Sequence, residues 1–405
     1  MRNERFHKKP ETYRVYEKRS IQNALDNGTL TPADANYIRE FIAEISVTAN
    51  LSAQRRFKLV SNLVQCHRFL PSVEDLVLSD IYEGIESLRV AIKEDGTKYS
   101  QNTIADFIRV TKRYYLWLIE NNKIDVPIAK IKNIKCTRYN YTTKTEEDIL
   151  TEEEVQQLIH TPRSIQYKAL LGVAYEGGFR IHEIGQLQWK DVRFMEGRVR
   201  IYTDGKTGKL RKVPIIAYAQ YLAEWKSIYP GNPEGENFVF LNKHNQPLYY
   251  QSFAKTFRQF AKDAGIERKV STHILRHSRI THCLRQNYNP VYVALTFWGN
   301  INTSMLKTYT HLSDDDVERQ FARLAGVDIP ELADKSDALA PVQCYQCGQI
   351  NPPGTEYCSR CGLALSAEAQ ATHEAVIQKI EEILASPGGA AIFKEAIARV
   401  QSQSE

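Results

Sequence analysis

Apolar residues recur at helical spacing through the first third of the chain and predict a bundle of four helices. One helix begins at Thr31-Pro32-Ala33-Asp34, where a capping hydroxyl is followed by a proline in the first turn and an acidic residue. Four helices of this length form a small bundle. The predicted helices cover about residues 31–45, 52–69, 75–92 and 101–120.

The periodicity stops between residues 131 and 147, and this segment predicts a linker because it mixes basic and aromatic residues without a repeat. A new helix begins after Thr151, which has Glu154 at the capping-box position. Two alternating runs, 198–203 and 210–216, predict one β-hairpin. Further helices are predicted near residues 250–264, 273–286, 290–297, 303–309 and 314–324.

The last 70 residues contain a cysteine cluster and two short predicted helices, about 367–385 and 390–401. The first of these helices has an apolar stripe that is too small to form a core alone, so we expect it to dock elsewhere. The stripe consists of Val376, Ile377, Ile380, Ile383 and Leu384. The predicted fold class is mainly α with a small β-sheet or hairpin. The segments are a helical domain (1–130), a linker (131–147), an α+β domain (148–326), a cysteine-rich unit (340–365) and C-terminal helices (366–405).

The composition is that of a globular protein with two or three domains, since the 405 residues are 42% hydrophobic and 25% charged. Nowhere do eighteen uncharged apolar residues follow one another, so we expect no membrane span. The basic N-terminus has no apolar stretch behind it and does not resemble a secretory signal. We therefore expect a soluble, cytoplasmic protein.

The net charge of +5 is unevenly divided along the chain. Residues 336–405 hold 4 Lys and Arg against 8 Asp and Glu, which leaves 49 against 40 in the rest. A basic body of +9 with an acidic end of −4 favours a polyanion binder.

Four of the seven cysteines form two CxxC pairs, each followed by a glycine. Two such pairs direct four thiolates to one point, which predicts a structural zinc ion in a ribbon, with a redox or disulfide pair as the alternatives. The acidic surroundings favour contact with a protein partner over contact with DNA. The proposed ligands are Cys344, Cys347, Cys358 and Cys361, whereas Cys66, Cys136 and Cys283 are scattered.

Basic residues on two predicted elements are candidates for contact with phosphates. Arg55, Arg56 and Lys58 belong to the helix 52–69, whose basic face could equally meet only solvent. Lys206 occupies the tip of the hairpin between two glycines, where a lysine is usually solvated but can also enter a DNA groove. The hairpin strands add Arg198, Arg200, Arg211 and Lys212.

Three further segments carry groups that bind anions or attack them. Arg180 follows two glycines at a helix start, with Glu183 one turn later, and the pair is either an anion site or a surface ion pair. His273 and Arg276 are three residues apart and share a helix face suited to a phosphate, although scattered polar groups at a helix start are common. Tyr309 lies in the segment 306–313.

These four segments, in this order, resemble the tyrosine recombinase (phage integrase) family. Arg180 and Arg276 are 96 residues apart, and Tyr309 follows 33 residues later. The resemblance covers about residues 148–325, and the preceding helices resemble the SAM-like core DNA-binding domain of the family. It implies that Arg180 and Arg276 clamp the scissile phosphate, that Lys206 protonates the leaving 5′ oxygen, that His273 assists, and that Tyr309 is the nucleophile.

The resemblance also assigns Glu183 as a structural acid and His277 as the second histidine. One position departs from the family, which has His or Trp nine residues before the tyrosine. Here Gly299 is followed by Asn300, which can donate a hydrogen bond but carries no charge. We expect Asn300 to act as a substitute donor, because Trp298 is two residues early and on the wrong face of a helix.

The implied activity is site-specific recombination of duplex DNA through a 3′-phosphotyrosyl intermediate, without ATP or metal in the chemistry. The implied assembly is a homo-tetramer on two DNA sites. Two alternatives remain open: a DNA-binding or regulatory protein that kept the scaffold but lost turnover, and a type IB topoisomerase.

Overall fold

The computed structural model divides into two compact units, Met1–Thr143 and Lys144–Glu405. The division falls inside the predicted linker. The described residues are 6, 9–74, 76–140, 149–204, 210–268, 270–286, 288–303, 305–306, 309, 318, 321–322, 324–327, 338–386, 388 and 394. Among these residues, no helix is long and apolar enough to cross a membrane.

The first unit is a helical bundle, as its apolar periodicity predicts. Thr31 Oγ1 accepts the Asp34 backbone N–H at 3.1 Å, and Asp34 Oδ2 accepts that of Thr31 at 3.0 Å, which confirms the predicted helix start. The helices are α1 (Pro10–Asp26), α2 (Pro32–Thr48), α3 (Ala53–Cys66), α4 (Leu78–Arg89), α5 (Gln101–Glu120) and α6 (Ile128–Lys132).

Two elements of this unit differ from the prediction. Helix α1 was not predicted, because it buries only Ile21 and Ala24 and so has little apolar periodicity. Ile131 and Ile134, at the start of the segment predicted as a linker, are buried in the core of the bundle. The first residues of that segment therefore belong to the first unit.

The second unit begins with helices around a three-stranded antiparallel sheet of order β1-β2-β3. The predicted hairpin is confirmed, with Val199 paired to Ile215 and Ile201 to Val213. The strand β1 extends it and was not predicted. The elements are α7 (Glu152–His160), α8 (Ile165–Glu176), α9 (Ile181–Gln186), β1 (Val192–Met195), β2 (Arg198–Asp204), β3 (Leu210–Ile215), α10 (Ala219–Ser227), α11 (Tyr250–Asp263), α12 (Ile274–Arg285) and α13 (Pro290–Trp298).

A tight turn between α8 and α9 positions the first candidate arginine. Gly178 has a positive φ of 53°, and a Cβ on it would lie 2.4 Å from the ring of Phe297. Only glycine fits such a place without strain. The turn itself therefore packs closely against Phe297, near the end of α13.

The cysteine-rich segment forms a small antiparallel pair, β4 (Val342–Gln343) with β5 (Ile350–Asn351), followed by α14 (Ala367–Ala385). The five residues of the α14 stripe are exposed, so the expected docking is not seen among the described residues. The helices predicted near 314–324 and 390–401 lie almost wholly outside the described residues.

Candidate active site and cysteine centre

Arg180 stands at the first turn of α9 and is held there by Glu183. The carboxylate accepts the Arg180 backbone N–H at 2.8 Å through Oε2 and the guanidinium Nη1 at 3.0 Å through Oε1. The side chain of Arg180 is 26% exposed, whereas that of Glu183 is 3% exposed. The pair is thus not a surface ion pair, since its acid is buried and its guanidinium keeps one side open.

Glu183 also pairs with a second arginine, because Arg211 Nη2 lies 2.6 Å from its Oε2. Burial raises the pKa of the Glu183 carboxyl, but the charge of Arg211, the Arg180 amide and the charges of Arg180 and Arg276 together bring that pKa below its ordinary value. Glu183 is therefore the anionic centre around which three arginines gather.

Arg211 is an internal residue, only 3% exposed, and the expectation that it contacts DNA is wrong. Its Nη1 donates to the carbonyl oxygens of Thr296 at 3.0 Å and Phe297 at 2.9 Å. The physical reason is the alternation of β3, which places Arg211 on the same face as the buried Val213 and Ile215.

Arg276 lies on α12 and is also buried. Its Nη2 donates to the Phe297 carbonyl oxygen at 2.6 Å, and its Nη1 donates to that of Gly178. Burial and then the charge of Arg180 lower the pKa of Arg276. A guanidinium nevertheless stays charged at neutral pH, so two cations occupy this site.

Tyr309 is 8% exposed and reaches a histidine. Its Oη lies 2.6 Å from His277 Nδ1. Burial raises the pKa of the phenol to about 12, although the charges of Arg276 and Arg180 act in the opposite direction and lower it. A buried phenol of this kind gives up its proton only to a well-placed acceptor.

Trp298 packs beside both Tyr309 and Arg276, so the expectation that it faces away is wrong. Its ring centroid lies 5.9 Å from that of Tyr309 and 5.3 Å from the guanidinium carbon of Arg276. The helix α13 ends at Trp298, and Gly299 takes a left-handed conformation that a continuing helix would not allow.

The remaining candidates are His273, Asn300 and Lys206. His273 is exposed at the start of α12, with its ring centroid 6.5 Å from that of His277. Asn300 is half-buried, and its Oδ1 accepts the Asn302 backbone N–H at 3.1 Å. Lys206 lies outside the described residues. The structure therefore brings together Arg180, Glu183, Arg276, His277 and Tyr309 around Phe297 and Trp298.

The basic residues predicted to contact phosphates differ in their surroundings. On α3, Arg56 pairs with Glu17 at 2.8 Å and Lys58 with Asp106 at 2.7 Å, while Arg55 is exposed. On the hairpin, Arg198 and Lys212 are exposed and Arg200 is half-buried.

Residues 148–316 match the phage integrase family. The tyrosine recombinase XerD of Listeria innocua is 28% identical over 302 residues, which cover 71% of this chain and 97% of that protein. The XerD of Shewanella oneidensis is 27% identical over 287 residues, which cover 68% and 92%. The chain is a tyrosine-type site-specific DNA recombinase.

Solved structures show that this recombinase shares the fold of other such enzymes. The XerH site-specific recombinase, in a post-cleavage complex with its difH substrate, has a TM-score of 0.51 at 20% identity, with 78% of this chain and 97% of that chain covered. A lambda integrase dimer bound to a COC′ core site has a TM-score of 0.52 at 14% identity, with 75% and 81% covered. The predicted mainly helical fold with a small sheet is confirmed at this level.

The four clustered cysteines of the recombinase have the geometry of a metal centre. Their sulfur atoms all lie within 4.8 Å of one another, and the pairs Cys344–Cys361 and Cys347–Cys358 are 3.6 Å apart. A tetrahedral zinc with bonds of about 2.3 Å needs sulfurs about 3.8 Å apart, whereas a disulfide needs about 2.05 Å. The four thiols therefore fit zinc and would hold it as a closed, structural site.

The backbone around the cysteines repeats itself in two knuckles. Gly348 and Gly362 follow the knuckles with φ of 72° and 74°, and each donates its N–H to the first cysteine of its own knuckle. The buried Asn351 links them, since its Nδ2 donates to the Val342 carbonyl oxygen and its Oδ1 accepts the Ser359 N–H at 3.1 Å.

Proposed function

We propose that this recombinase cuts and rejoins duplex DNA through a 3′-phosphotyrosyl intermediate formed on Tyr309. The observation that carries the proposal is the 2.6 Å separation between Tyr309 Oη and His277 Nδ1, within the field of Arg180 and Arg276. A protonated phenol is a weak nucleophile, and burial hinders its ionisation further. The adjacent imidazole supplies the acceptor that the phenol requires.

In the first step, Tyr309 Oη bonds to phosphorus while its proton passes to His277 Nδ1. The bond between phosphorus and the 5′ oxygen breaks, and Lys206 protonates that oxygen. Arg180 and Arg276 offset the charge that develops on the non-bridging oxygens of the phosphate.

The intermediate keeps the energy of the broken ester, because one phosphodiester bond replaces another. A 5′ hydroxyl from a second duplex therefore reverses the step and joins the strands without ATP. The charge that a metal ion would offset is offset here by the two guanidiniums, so this mechanism requires no metal.

Asn300 takes the place of the usual histidine or tryptophan in this scheme. Its Oδ1 accepts an N–H from Asn302, so Nδ2 is the group that would donate to a phosphate oxygen. His273, three residues before Arg276 and exposed, would assist from the solvent side.

Duplex DNA is the partner, and the first unit serves as a core DNA-binding domain alongside the catalytic domain. Arg55, Arg198, Arg200 and Lys212 are our candidates for phosphate contacts, which would make binding fall steeply with salt. One lambda integrase structure of similar fold, with a TM-score of 0.51 at 13% identity, is a tetramer on a Holliday junction. We propose the same assembly here, acting at the nucleoid in the cytoplasm.

A nicked suicide substrate tests the proposal. Cleavage beside the nick releases a short strand, which prevents rejoining and traps the protein on the DNA. The parent should give a DNA-linked band on a denaturing gel, and Tyr309→Phe should bind DNA without giving that band. A parent that binds but never forms the band is instead a scaffold that has lost turnover, and relaxation of supercoils by single chains would indicate a topoisomerase.

The four cysteines bind one structural zinc ion per chain in this proposal, with Asn351 joining the knuckles. Metal analysis of the purified chain should find one zinc, and Cys344→Ser with Cys358→Ser should remove it. A chain that folds with disulfides at these positions and holds no zinc would contradict it.

A further inference from the structure

The zinc ribbon (residues 340–365) lies against the catalytic domain through the segment Pro352-Pro353-Gly354 that joins its two knuckles. Both prolines are buried. A unit this small, with two strands of two residues each, cannot bury apolar side chains on its own. Their burial therefore comes from the surface on which the ribbon rests.

Gly354 marks the closest approach to helix α7. A Cβ at this glycine would lie 2.2 Å from Gln156 Nε2 and 3.0 Å from His160 Cε1. Its φ of 71° also disfavours any other residue. The absence of a side chain at position 354 thus allows the ribbon to sit directly on α7.

His160 joins three parts of this interface. Its ring lies against Gly354, beside the Pro353 backbone, which has only a carbonyl oxygen and so can accept an imidazole N–H. The same ring lies 6.5 Å from that of Tyr221 on α10. Burial and the charge of Lys168 on α8 lower the pKa of His160, which keeps the ring neutral beside the ribbon.

A second contact lies at the turn between β1 and β2. A Cβ at Gly197 would be 3.2 Å from the Ile350 side chain, at the start of β5. Next to the α7 contact, Ser359 of the second knuckle and Thr355 line a groove with Tyr221 and Glu224 of α10. The ribbon therefore spans α7, α8 and α10 together with the turn between β1 and β2.

We propose that the ribbon is an internal brace of the catalytic domain, and that metal binding by its cysteines holds α7, α8 and α10 together. The docking segment begins directly after Asn351 and ends between the knuckles, so closing the cysteine centre fixes its shape. Its partner is thus a surface of the same chain. This inference rests on the proposed zinc site and assigns that site a structural role in the catalytic domain.

Hydrogen–deuterium exchange on the full-length chain tests the brace, with and without a zinc chelator. Removing zinc from the parent should speed amide exchange in residues 152–160 and 219–227 by about tenfold, because these helices lose a packing partner. Exchange in α5, within the first unit, should not change and provides an internal reference.

His160→Asp separates docking from metal binding. It sets a carboxylate against the Pro353 carbonyl oxygen while leaving the cysteines untouched. This variant should hold one zinc, show fast exchange in α7 already, and show no further change with chelator. Gln157→Asp, on the exposed side of the same helix, should behave as the parent.

The outcomes distinguish the two proposals. If no zinc is bound, the zinc site fails and the metal-dependent brace fails with it. If zinc is bound but α7 exchange in the parent is the same with and without chelator, the brace alone is overturned.

Discussion

Arg211 and Arg276 donate to the same acceptor, the carbonyl oxygen of Phe297, at 2.9 and 2.6 Å. Arg211 comes from β3 and Arg276 from α12, and both lie within the field of the Glu183 carboxylate. The end of α13 is therefore tied to the sheet and to α12 by guanidinium groups. The position of Trp298, next to that carbonyl, depends on both ties.

Replacing Arg211 should disturb the site even though Arg211 is buried and does not itself contact DNA. Arg211→Met takes a partner from the buried Glu183 and from two carbonyl oxygens, and should lower the free energy of unfolding by about 3 kcal/mol. Arg211→Lys keeps the charge but lacks the planar fork whose two terminal nitrogens reach Glu183 and both carbonyl oxygens, so it should fold and still form the covalent band about tenfold more slowly. Chemical denaturation and the suicide substrate measure the two effects.

The neighbouring Lys212→Met is the matched control, because Lys212 is exposed on the same strand. It should change unfolding by less than about 0.5 kcal/mol. Equal loss of stability in the Arg211→Met and Lys212→Met variants would show that Arg211 has no special part in holding the site together.

Replacing His277 should slow the chemistry but leave DNA binding intact. His277→Ala removes the acceptor that lies 2.6 Å from Tyr309 Oη, and single-turnover cleavage should fall by about 100-fold. His273→Ala, at the exposed end of the same helix, should cost less. A His277→Ala enzyme that cleaves as fast as the parent would remove the imidazole from the proposed mechanism.

Gly178, in the turn before α9, should not tolerate substitution, and two separate physical reasons contribute. Gly178→Ala combines a left-handed backbone with a Cβ 2.4 Å from the Phe297 ring. Gly265→Ala, the control, also places a side chain on a left-handed backbone (φ 78°), but an added Cβ there would have no atom within 4 Å. The control should lose about 1 kcal/mol of stability and Gly178→Ala about 1–3 kcal/mol more, measured by denaturation. Equal losses of stability in the two variants would mean that the Phe297 ring can move aside at no energetic cost.

The catalytic unit should lose stability in mild acid because of His282. This histidine is buried, and its Nδ1 lies 2.7 Å from Tyr175 Oη. Burial is the main cause that lowers its pKa to about 4. The unfolded chain takes up the proton near pH 6.5, and the folded chain does not until about pH 4. Stability is therefore full above about pH 6.5 and falls by about 3 kcal/mol towards pH 4.

Unfolding at a series of pH values measures this loss. His282→Gln should flatten that part of the profile, and the exposed His244→Gln should not. A profile unchanged by His282→Gln would assign the acid sensitivity to other groups.

Much of the fold follows from patterns that are local in the chain. The Thr31 and Thr151 caps, the hairpin and the cysteine knuckles all depend on neighbouring residues, and the structure has them where the sequence predicts. Helix α1 gave no such signal, because its burial comes from packing against distant helices. The local pattern of β3 did place Arg211 on the buried face, next in alternation to Val213.

The site itself depends on contacts between distant segments. The spacing of Arg180, Arg276 and Tyr309 indicated the chemistry through a family resemblance. Nothing local indicates that Trp298 packs on Tyr309, since that contact requires the chain to turn at Gly299. The resting place of the ribbon on α7 was equally hidden, because a surface histidine such as His160 has no distinctive neighbours in sequence.

The hydroxyl of Tyr309 already rests on a histidine of its own polypeptide, and this has a consequence for the assembled complex. A subunit that attacks in cis cannot borrow its nucleophile from a neighbour. Mixing Tyr309→Phe with Arg276→Ala chains should then restore no cleavage, because neither contains an intact set of reacting groups. Any difference in activity between subunits would then arise from contacts between them and not from an exchange of catalytic residues.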